Sequence, residues 1–315
     1  MRTPLVSIIT VNYNQELLTC ALLDSIRRQD FHNLEIIVVD NGSAQNPEQI
    51  FRQYPEVVFV RSSHNLGFAG GNNIGLSMAT GDYLFLVNND AELTNNCIAQ
   101  LVHFAENNPQ VGIVSPLICY PPAQHPPIAV IQYAGMTQVN PFTGRNRTIG
   151  AGETNRGQFD IPRQTAYAHG AAMFMSSNVL KSVGPMREDY FLYYEELDWC
   201  ERVRRAGYGV WVEPRACVWH KESSTVKGLG PIKTYYLSRN RILFMRRNIS
   251  GWQFAVFLLF LMVVVLPKNI LIFTWRAEWR NMDAFLQGVW WNLCTPSQNT
   301  YENADHIAGS ETVTS

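Results

Sequence analysis

The chain has 315 residues, 46% of them aliphatic or aromatic, enough for a sizeable core in one large α/β domain with an appendage or in two domains. A formal net charge of −1 excludes a global field that would recruit nucleic acid. The six cysteines, Cys20, Cys97, Cys119, Cys200, Cys217 and Cys294, include no C-x-x-C pair, a pattern that reads as reduced cytosolic thiols rather than a disulfide framework.

Met1 to Pro4 lead directly into an apolar run, without the pattern of a signal peptide. Leu5–Val11 is predicted as a strand, and Asn14 as the cap of a helix reaching Gln29 with Leu17, Leu18, Ala21, Leu22 and Ile26 on one face. Leu34–Val39 is the second strand, Gln49–Tyr54 a short helix, Val57–Val60 a strand and Gly67–Ala79 a helix entered through a glycine-rich turn. Tyr83–Val87 (strand), Cys97–Glu106 (helix) and Val111–Val114 (strand) follow. Strands alternating with helices imply a mostly parallel sheet flanked by helices.

Pro121, Pro122, Pro126, Pro127 and Pro141, with glycines up to Gly157, break that rhythm and read as loops or an irregular hairpin. Regular structure is expected again over Ala166–Met175, in a helix from Ser176 or Ser177 to Val183, in a helix Glu195–Ala206 closed by Gly207, and in a strand Val210–Val212. Phe254–Leu266 is thirteen consecutive apolar residues, followed by Pro267 and Lys268. Thirteen falls short of the roughly 20 residues that span a bilayer. Trp252, Trp275, Trp279, Trp290 and Trp291 crowd its flanks, and Lys227–Arg280 holds nine Lys or Arg against one acid, Glu278. A buried core helix and a membrane-associated helix, interfacial or re-entrant, both fit; tryptophans and basic residues favour the second.

Several polar residues sit where open α/β sheets bind ligands, just past the carboxyl ends of strands. Asp40 ends one apolar run and is either a turn former or an acceptor for the N3–H of a uracil or thymine ring, with Ser7, Thr10 and Asn12 nearby. The glycines of Asn65–Gly75 allow backbone close to a ligand, yet their spacing matches neither a P-loop nor a dinucleotide fingerprint. Asp90 ends another run and is either a turn residue or one oxygen ligand for Mg²⁺ or Mn²⁺. Glu195, Glu196 and Asp198 either complement the helix dipole or, behind the apolar Tyr190–Tyr194, supply a general base of raised pKa. His220 follows Cys217-Val218-Trp219 and is either a structural hydrogen-bonder or a further metal ligand.

Seven segments in this order carry a resemblance: Val11–Asn14, Val38–Ser43, Asn65–Asn73, Leu86–Asp90, His169–Phe174, Tyr194–Gly207 and Val218–His220. Over roughly residues 4 to 250 the chain resembles the family 2 glycosyltransferases, and within them the bacterial rhamnosyltransferase-like branch. The resemblance implies a GT-A fold, a nucleoside-diphosphate sugar donor, a divalent cation (Mg²⁺ or Mn²⁺) and inversion at the anomeric carbon. It assigns Glu196, or Glu195 beside it, as catalytic base. Donor contacts fall to Thr10, Asn12, Asn14, Asp40, Gly67, Asn73, Asn88 and Asn89. Gly170, Ala171 and Asp198 would border the acceptor, and Asp90 with His220 would hold the metal. The first acid of the family's Asp-x-Asp motif is Asn88 here.

The expected layout is a catalytic domain over 1–250, with a nucleotide-binding half 1–116 and an acceptor half 117–250. A hydrophobic, tryptophan-rich helical tail with a flexible end, 251–315, would hold the enzyme at the cytoplasmic face of the cell membrane. The expected reaction moves a sugar, rhamnose favoured, from a dTDP- or UDP-sugar to a cell-envelope or lipid-linked glycan, with no nucleic-acid partner. Competing readings are a catalytically inactive nucleotide-sugar-binding scaffold, a processive synthase (its Gln-x-x-Arg-Trp segment is missing) and a nicotinamide dehydrogenase (its glycine fingerprint is missing).

Overall fold

The computed structural model describes residues 2–122, 129–221 and 230–295. Pro126, Pro127, Lys227 and the expected flexible end from residue 296 onward lie outside the described residues. Strands β1 (Val6–Asn12), β2 (Leu34–Asp40), β3 (Val58–Arg61), β4 (Tyr83–Val87), β5 (Ala91–Leu93), β6 (Val111–Tyr120), β7 (Val130–Tyr133), β8 (Arg163–Gln164), β9 (Ala172–Ser176) and β10 (Gly209–His220) join one sheet. Its main path runs β3-β2-β1-β4-β9-β6-β10-β5. The four strands from β3 to β4 are parallel, as are β6 and β10, whereas β9 runs antiparallel to both its neighbours.

Near-continuous apolar runs make these strands, because both faces of the sheet are covered. Side chains alternate between two core layers. Ile8, Ile36, Val38 and Phe85 pack with α1 (Glu16–Arg27), α2 (Glu48–Gln53) and α4 (Cys97–Asn107). Ile9, Ile37, Val39, Leu84 and Leu86 pack with α3 (Gly67–Met78), α5 (Ser177–Val183), α6 (Glu195–Arg205) and α7 (Gly230–Asn248). All six cysteines are free thiols.

Four expectations need correction. Asn14 does not cap α1: it adopts a left-handed φ of 55°, and its amide oxygen accepts from Ala44 N–H at 2.8 Å. Leu17 is 71% exposed, because the buried stripe of α1 runs through Thr19, Leu22, Leu23 and Ile26. β9 begins only at Ala172, since Ala172 N–H bonds back to His169 O in a turn. The last strand extends from Gly209 to His220, with a register shift between Glu213 and Cys217 that interrupts its apolar pattern. Buried Glu213 is satisfied there by Arg215 at 2.8 Å.

The apolar stretch is also longer than its composition implies. Helix α8 (Gly251–Trp275) runs unbroken through Pro267. A π turn over Leu261–Val265 precedes the proline and loosens the hydrogen-bond ladder where its ring and missing N–H would otherwise clash. By length and composition this helix could cross a membrane; at 1.5 Å per residue it measures about 37 Å against a hydrocarbon core of about 30 Å. One row, Phe257, Leu261 and Val265, is buried in the second core layer, while Leu259, Met262, Val263, Leu271 and Trp275 are exposed. Helix α9 (Trp279–Cys294) packs on α7, and Gly288 allows the close crossing: a Cβ there would lie 2.5 Å from Ser238 Oγ.

Candidate active site

The strand directions bring most of the candidate residues to one edge. β1 and β2 end side by side, with Asn12 opposite Asp40. β4 ends at Val87 and delivers Asn88, Asn89 and Asp90. Antiparallel β9 starts beside that end, Ala172 opposite Val87, so Gly170 and Ala171 lie there too. β10 arrives last, with His220 paired to Ala91. Ser7 lies at the other end of β1, where its hydroxyl accepts from Gly81 N–H, and takes no part in this edge. Thr10 is fully buried two residues before Asn12, its hydroxyl unpartnered.

Asp40 is held by a set of donors. Asn12 Nδ2 donates to it at 2.8 Å, Arg61 Nε lies 3.1 Å away, and Ser43 gives both its hydroxyl and its N–H. Asn12 Oδ1 in turn accepts from Thr19 Oγ1 at 2.9 Å, which accepts from Asn89 Nδ2 at 3.1 Å. A continuous hydrogen-bond chain therefore links the end of β2 to the end of β4. Asn14 joins it through its N–H, which donates to Ser43 Oγ at 2.8 Å. Thr19 and Arg61 were not legible as site residues, and only the fold brings them to Asn12 and Asp40; Ser43 stands three residues from Asp40 in the Val38–Ser43 segment.

Gly67 and Asn73, expected as donor contacts, pack against the segment that precedes α6. Gly67 has φ +74°, and a Cβ there would lie 2.2 Å from Phe191 O. The next N–H, of Phe68, donates to that same carbonyl at 2.7 Å, so the N-terminus of α3 grips the 189–194 segment. Asn73 spends its amide on Met186 O and Glu188 Oε1 and accepts from Met186 N–H.

Asp90 and His220, both 6% exposed, face each other with Nε2 3.1 Å from Oδ1. Gln132 Oε1 lies 2.7 Å from His220 Nδ1, orienting the ring, and Asn88 Nδ2 lies 3.4 Å from Nε2. His169 stands edge-on to His220, ring centres 5.9 Å apart, and its Nδ1 accepts from Ala171 N–H. Burial, and then the charge of His220, push its pKa down to about 3, so His169 stays neutral. His169 and Gln132 also join the site only through the fold, although His169 opens one of the recurring sequence segments.

Glu195 and Glu196 open α6 after a loop in which Phe191, Tyr193 and Tyr194 all have positive φ. Each carboxylate has one oxygen buried without a partner. Burial lifts Glu196 to about 7, against the pull of helix-start N–H groups. Glu195 is raised further, by burial and then by the charge of Glu196. Glu196 borders Gly170: a Cβ on that glycine would lie 4.0 Å from Glu196 Cγ and 3.4 Å from Phe68 Cζ. His169 and Gly170 thus bridge the Asp90–His220 pair to Glu196. Asp198 faces elsewhere, ion-paired to Arg187 at 3.4 Å and Arg202 at 3.2 Å and bonded to Tyr190 and Asn248. With 2% exposure and these partners it braces α6.

Residues 7–184 match the family model described as glycosyl transferase family 2. The low-salt glycan biosynthesis hexosyltransferase Agl10 of Haloferax volcanii is 27% identical over 221 residues, 65% of this chain and 63% of that protein's length. The N-acetylglucosaminyl-diphospho-decaprenol L-rhamnosyltransferase of Mycobacterium tuberculosis is 24% identical over 270 residues, 79% of this chain and 87% of the relative. Among solved structures, the Pyrobaculum calidifontis mannosyltransferase PcManGT with GDP-Man and Mn²⁺ superposes with a TM-score of 0.56 at 17% identity, covering 93% of this chain and 88% of that one. That likeness concerns the fold, which is GT-A. The chain spans less than two thirds of the Haloferax relative's length, and it belongs to glycosyl transferase family 2.

Proposed function

We propose that the chain is an inverting glycosyltransferase that moves a sugar, rhamnose favoured, from a dTDP- or UDP-sugar to a lipid-linked or cell-envelope glycan. The observation that carries this reading is the gathering of Asp40, the Asp90–His220 pair and Glu196 along one sheet edge. Rhamnose and a lipid-linked acceptor come from the mycobacterial relative, whose name states that sugar and a decaprenol-linked substrate.

A divalent metal fits the residues present. Among the described residues no group of three His, Cys, Asp or Glu could hold an ion alone. Mg²⁺ and Mn²⁺ sites of transferases need only one or two protein ligands, because substrate phosphates complete the shell. The Asp90 oxygen and His220 Nε2, 3.1 Å apart, are both electron-pair donors when the ring is neutral, and such a pair is eased by a cation between them. Asp90 and His220 would hold the ion, and when bound it supplies positive charge to the departing diphosphate. Asn88 leaves the site one negative charge short of two acids and makes it lean more on the donor's own phosphates.

The chain's own residues supply the rest. Asp40, fixed by Asn12, Ser43 and Arg61, is assigned the N3–H of a pyrimidine. Glu196, with its raised pKa and its place beside Gly170, takes the proton from the acceptor hydroxyl during a single in-line displacement. Glu195 is the more enclosed of the two, 3% exposed, and is assigned to support rather than to the proton. The catalytic unit is read as residues 1–250, with halves 1–116 and 117–250, and 251–315 as the membrane-associating part. The exposed apolar face of α8 and its tryptophans support docking on the cytoplasmic face of the membrane.

Nucleotide release from dTDP-rhamnose, UDP-glucose, UDP-N-acetylglucosamine and GDP-mannose, with decaprenyl-diphospho-N-acetylglucosamine as acceptor and Mn²⁺ present, tests the reading. Turnover with a dTDP or UDP donor is the expected result. Binding without any turnover would favour an inactive scaffold, the reading that Asn88 supports.

A further inference from the structure

The approach to Glu196 is a strained piece of backbone. Phe191, Tyr193 and Tyr194 have φ of 63°, 70° and 78°, a region that a bulky L-residue holds only where its surroundings impose it. Glycine would relieve this strain, and none occurs in the segment. Something must therefore hold it.

The holder is on α7. Asn240, fully buried, donates its side-chain amide to Tyr190 O at 2.9 Å, Leu192 O at 2.8 Å and Tyr193 O at 2.8 Å. Its Oδ1 accepts from Arg239 Nε at 2.8 Å, which fixes which way the amide faces. Arg239 also donates to Tyr190 O at 2.8 Å and to Asp189 O. The guanidinium is only 7% exposed and, among the described residues, has no ion pair. It lies instead over the rings of Tyr236 at 4.8 Å and Trp291 at 4.7 Å. Tyr236, also on α7, stacks on the Phe191 ring at 5.0 Å, and from α3 the Phe68 N–H holds Phe191 O. Glu195 and Glu196 follow the last strained residue directly.

We propose that Asn240, locked by Arg239, is a positioning residue for the transfer step: by fixing the 190–193 carbonyls it sets the direction from which Glu196 enters the site. The proposal rests on the reading of Glu196 as base. Only a donor fits at Asn240. An aspartate of the same shape would set a carboxylate against three carbonyl oxygens, and an apolar residue would take this donor from Leu192 O and Tyr193 O, leaving only Tyr190 O with its Arg239 bond. Trp291 belongs to α9, so the grip on the loop depends on the docking of α9 against α7.

The test compares Asn240→Ala, Asn240→Asp and Glu196→Gln with the unmodified full chain, using dTDP-rhamnose as donor and decaprenyl-diphospho-N-acetylglucosamine as acceptor. Asn240→Ala is expected to lower kcat about a hundredfold, the scale of a misplaced catalytic group. Affinity for dTDP by calorimetry should stay unchanged, and the acid limb of the pH–rate profile should move down from about 7 as the carboxyl gains solvent. Hydrogen exchange should rise over residues 189–197 and not across the sheet, a readout that needs no substrate. Asn240→Asp should be at least as slow. If the alanine variant does not fold, Asn240→Ser, which keeps one donor, is read in the same way. Wild-type kcat, pH profile and exchange in a folded Asn240 variant, alongside an inactive Glu196→Gln, would overturn the positioning role alone. An active Glu196→Gln would overturn the base assignment and this proposal with it.

Discussion

His220 Nε2 lies 3.1 Å from Asp90 Oδ1, joining the last residue of β10 to the residue just before β5. Neither side chain has a role in the apolar core, and each is in place only because β5 turns back antiparallel along β10. Asp90→Ala and His220→Ala should therefore leave the fold intact. Each should weaken Mn²⁺-dependent binding of UDP or dTDP, measured by calorimetry with and without the metal, by roughly tenfold to a hundredfold. Equal affinity with and without Mn²⁺ in the unmodified protein would remove the metal role.

Glu196→Gln keeps the size of the side chain and removes its basicity. Turnover should fall by at least about a hundredfold with nucleotide affinity unchanged. The unmodified enzyme should gain activity as pH rises through about 7, where the carboxyl ionises, and level off above it. Stability runs the opposite way. A carboxyl whose folded pKa is raised from 4.5 to about 7 contributes fully below about 4.5, and that contribution is lost as pH rises through 7. Glu196→Gln should flatten this part of the stability curve in denaturant melts; an unchanged curve would show that Glu196 is not buried as described.

Gly67→Ala tests the packing of α3 against the 189–194 segment. The residue has φ +74°, and its new Cβ would lie 2.2 Å from a backbone oxygen that has no freedom to swing away. A loss of roughly 1–3 kcal/mol or more in unfolding free energy is expected. A neutral result would mean that the 189–194 segment does not sit against α3.

Much of this was readable from residue order. Apolar runs ending at Asp40 and Asp90 announced two strands and two edge carboxylates, because a strand buried on both faces leaves a plain signature. β10 was legible as two pieces, Val210–Val212 and the strand-like Cys217-Val218-Trp219, and not as one strand, since Glu213-Pro214-Arg215 breaks the apolar pattern while a side-chain pair satisfies the buried acid. Gly67 and Asn73 carried a ligand-like pattern, and their packing against Phe191 and Met186 had no signal in the sequence. Arg61 and Gln132 carry no local signal at all, and Arg239-Asn240 resembles the membrane-proximal end of the family's enzymes without a role attached. The partners of Arg61, Gln132 and Asn240 lie 21, 88 and about 50 positions away, and only the closed sheet brings them near.

Leu259 and Val263 are each 63% exposed on α8 and make no part of the core. Leu259→Asp with Val263→Asp should leave the melting temperature unchanged and reduce flotation with vesicles of phosphatidylglycerol and phosphatidylethanolamine, since charge in the apolar layer costs about 2.5–3.5 kcal/mol per residue. Undiminished flotation would place membrane contact elsewhere.

The inward row Phe257, Leu261 and Val265 bears on how the enzyme is to be prepared. Trimming the chain before Gly251 to obtain a better-behaved soluble form would strip three plugs from the second layer and open its greasy lining to water. Such a shortened product should clump more readily than the full-length one, so a mild surfactant is the better route to a tractable sample.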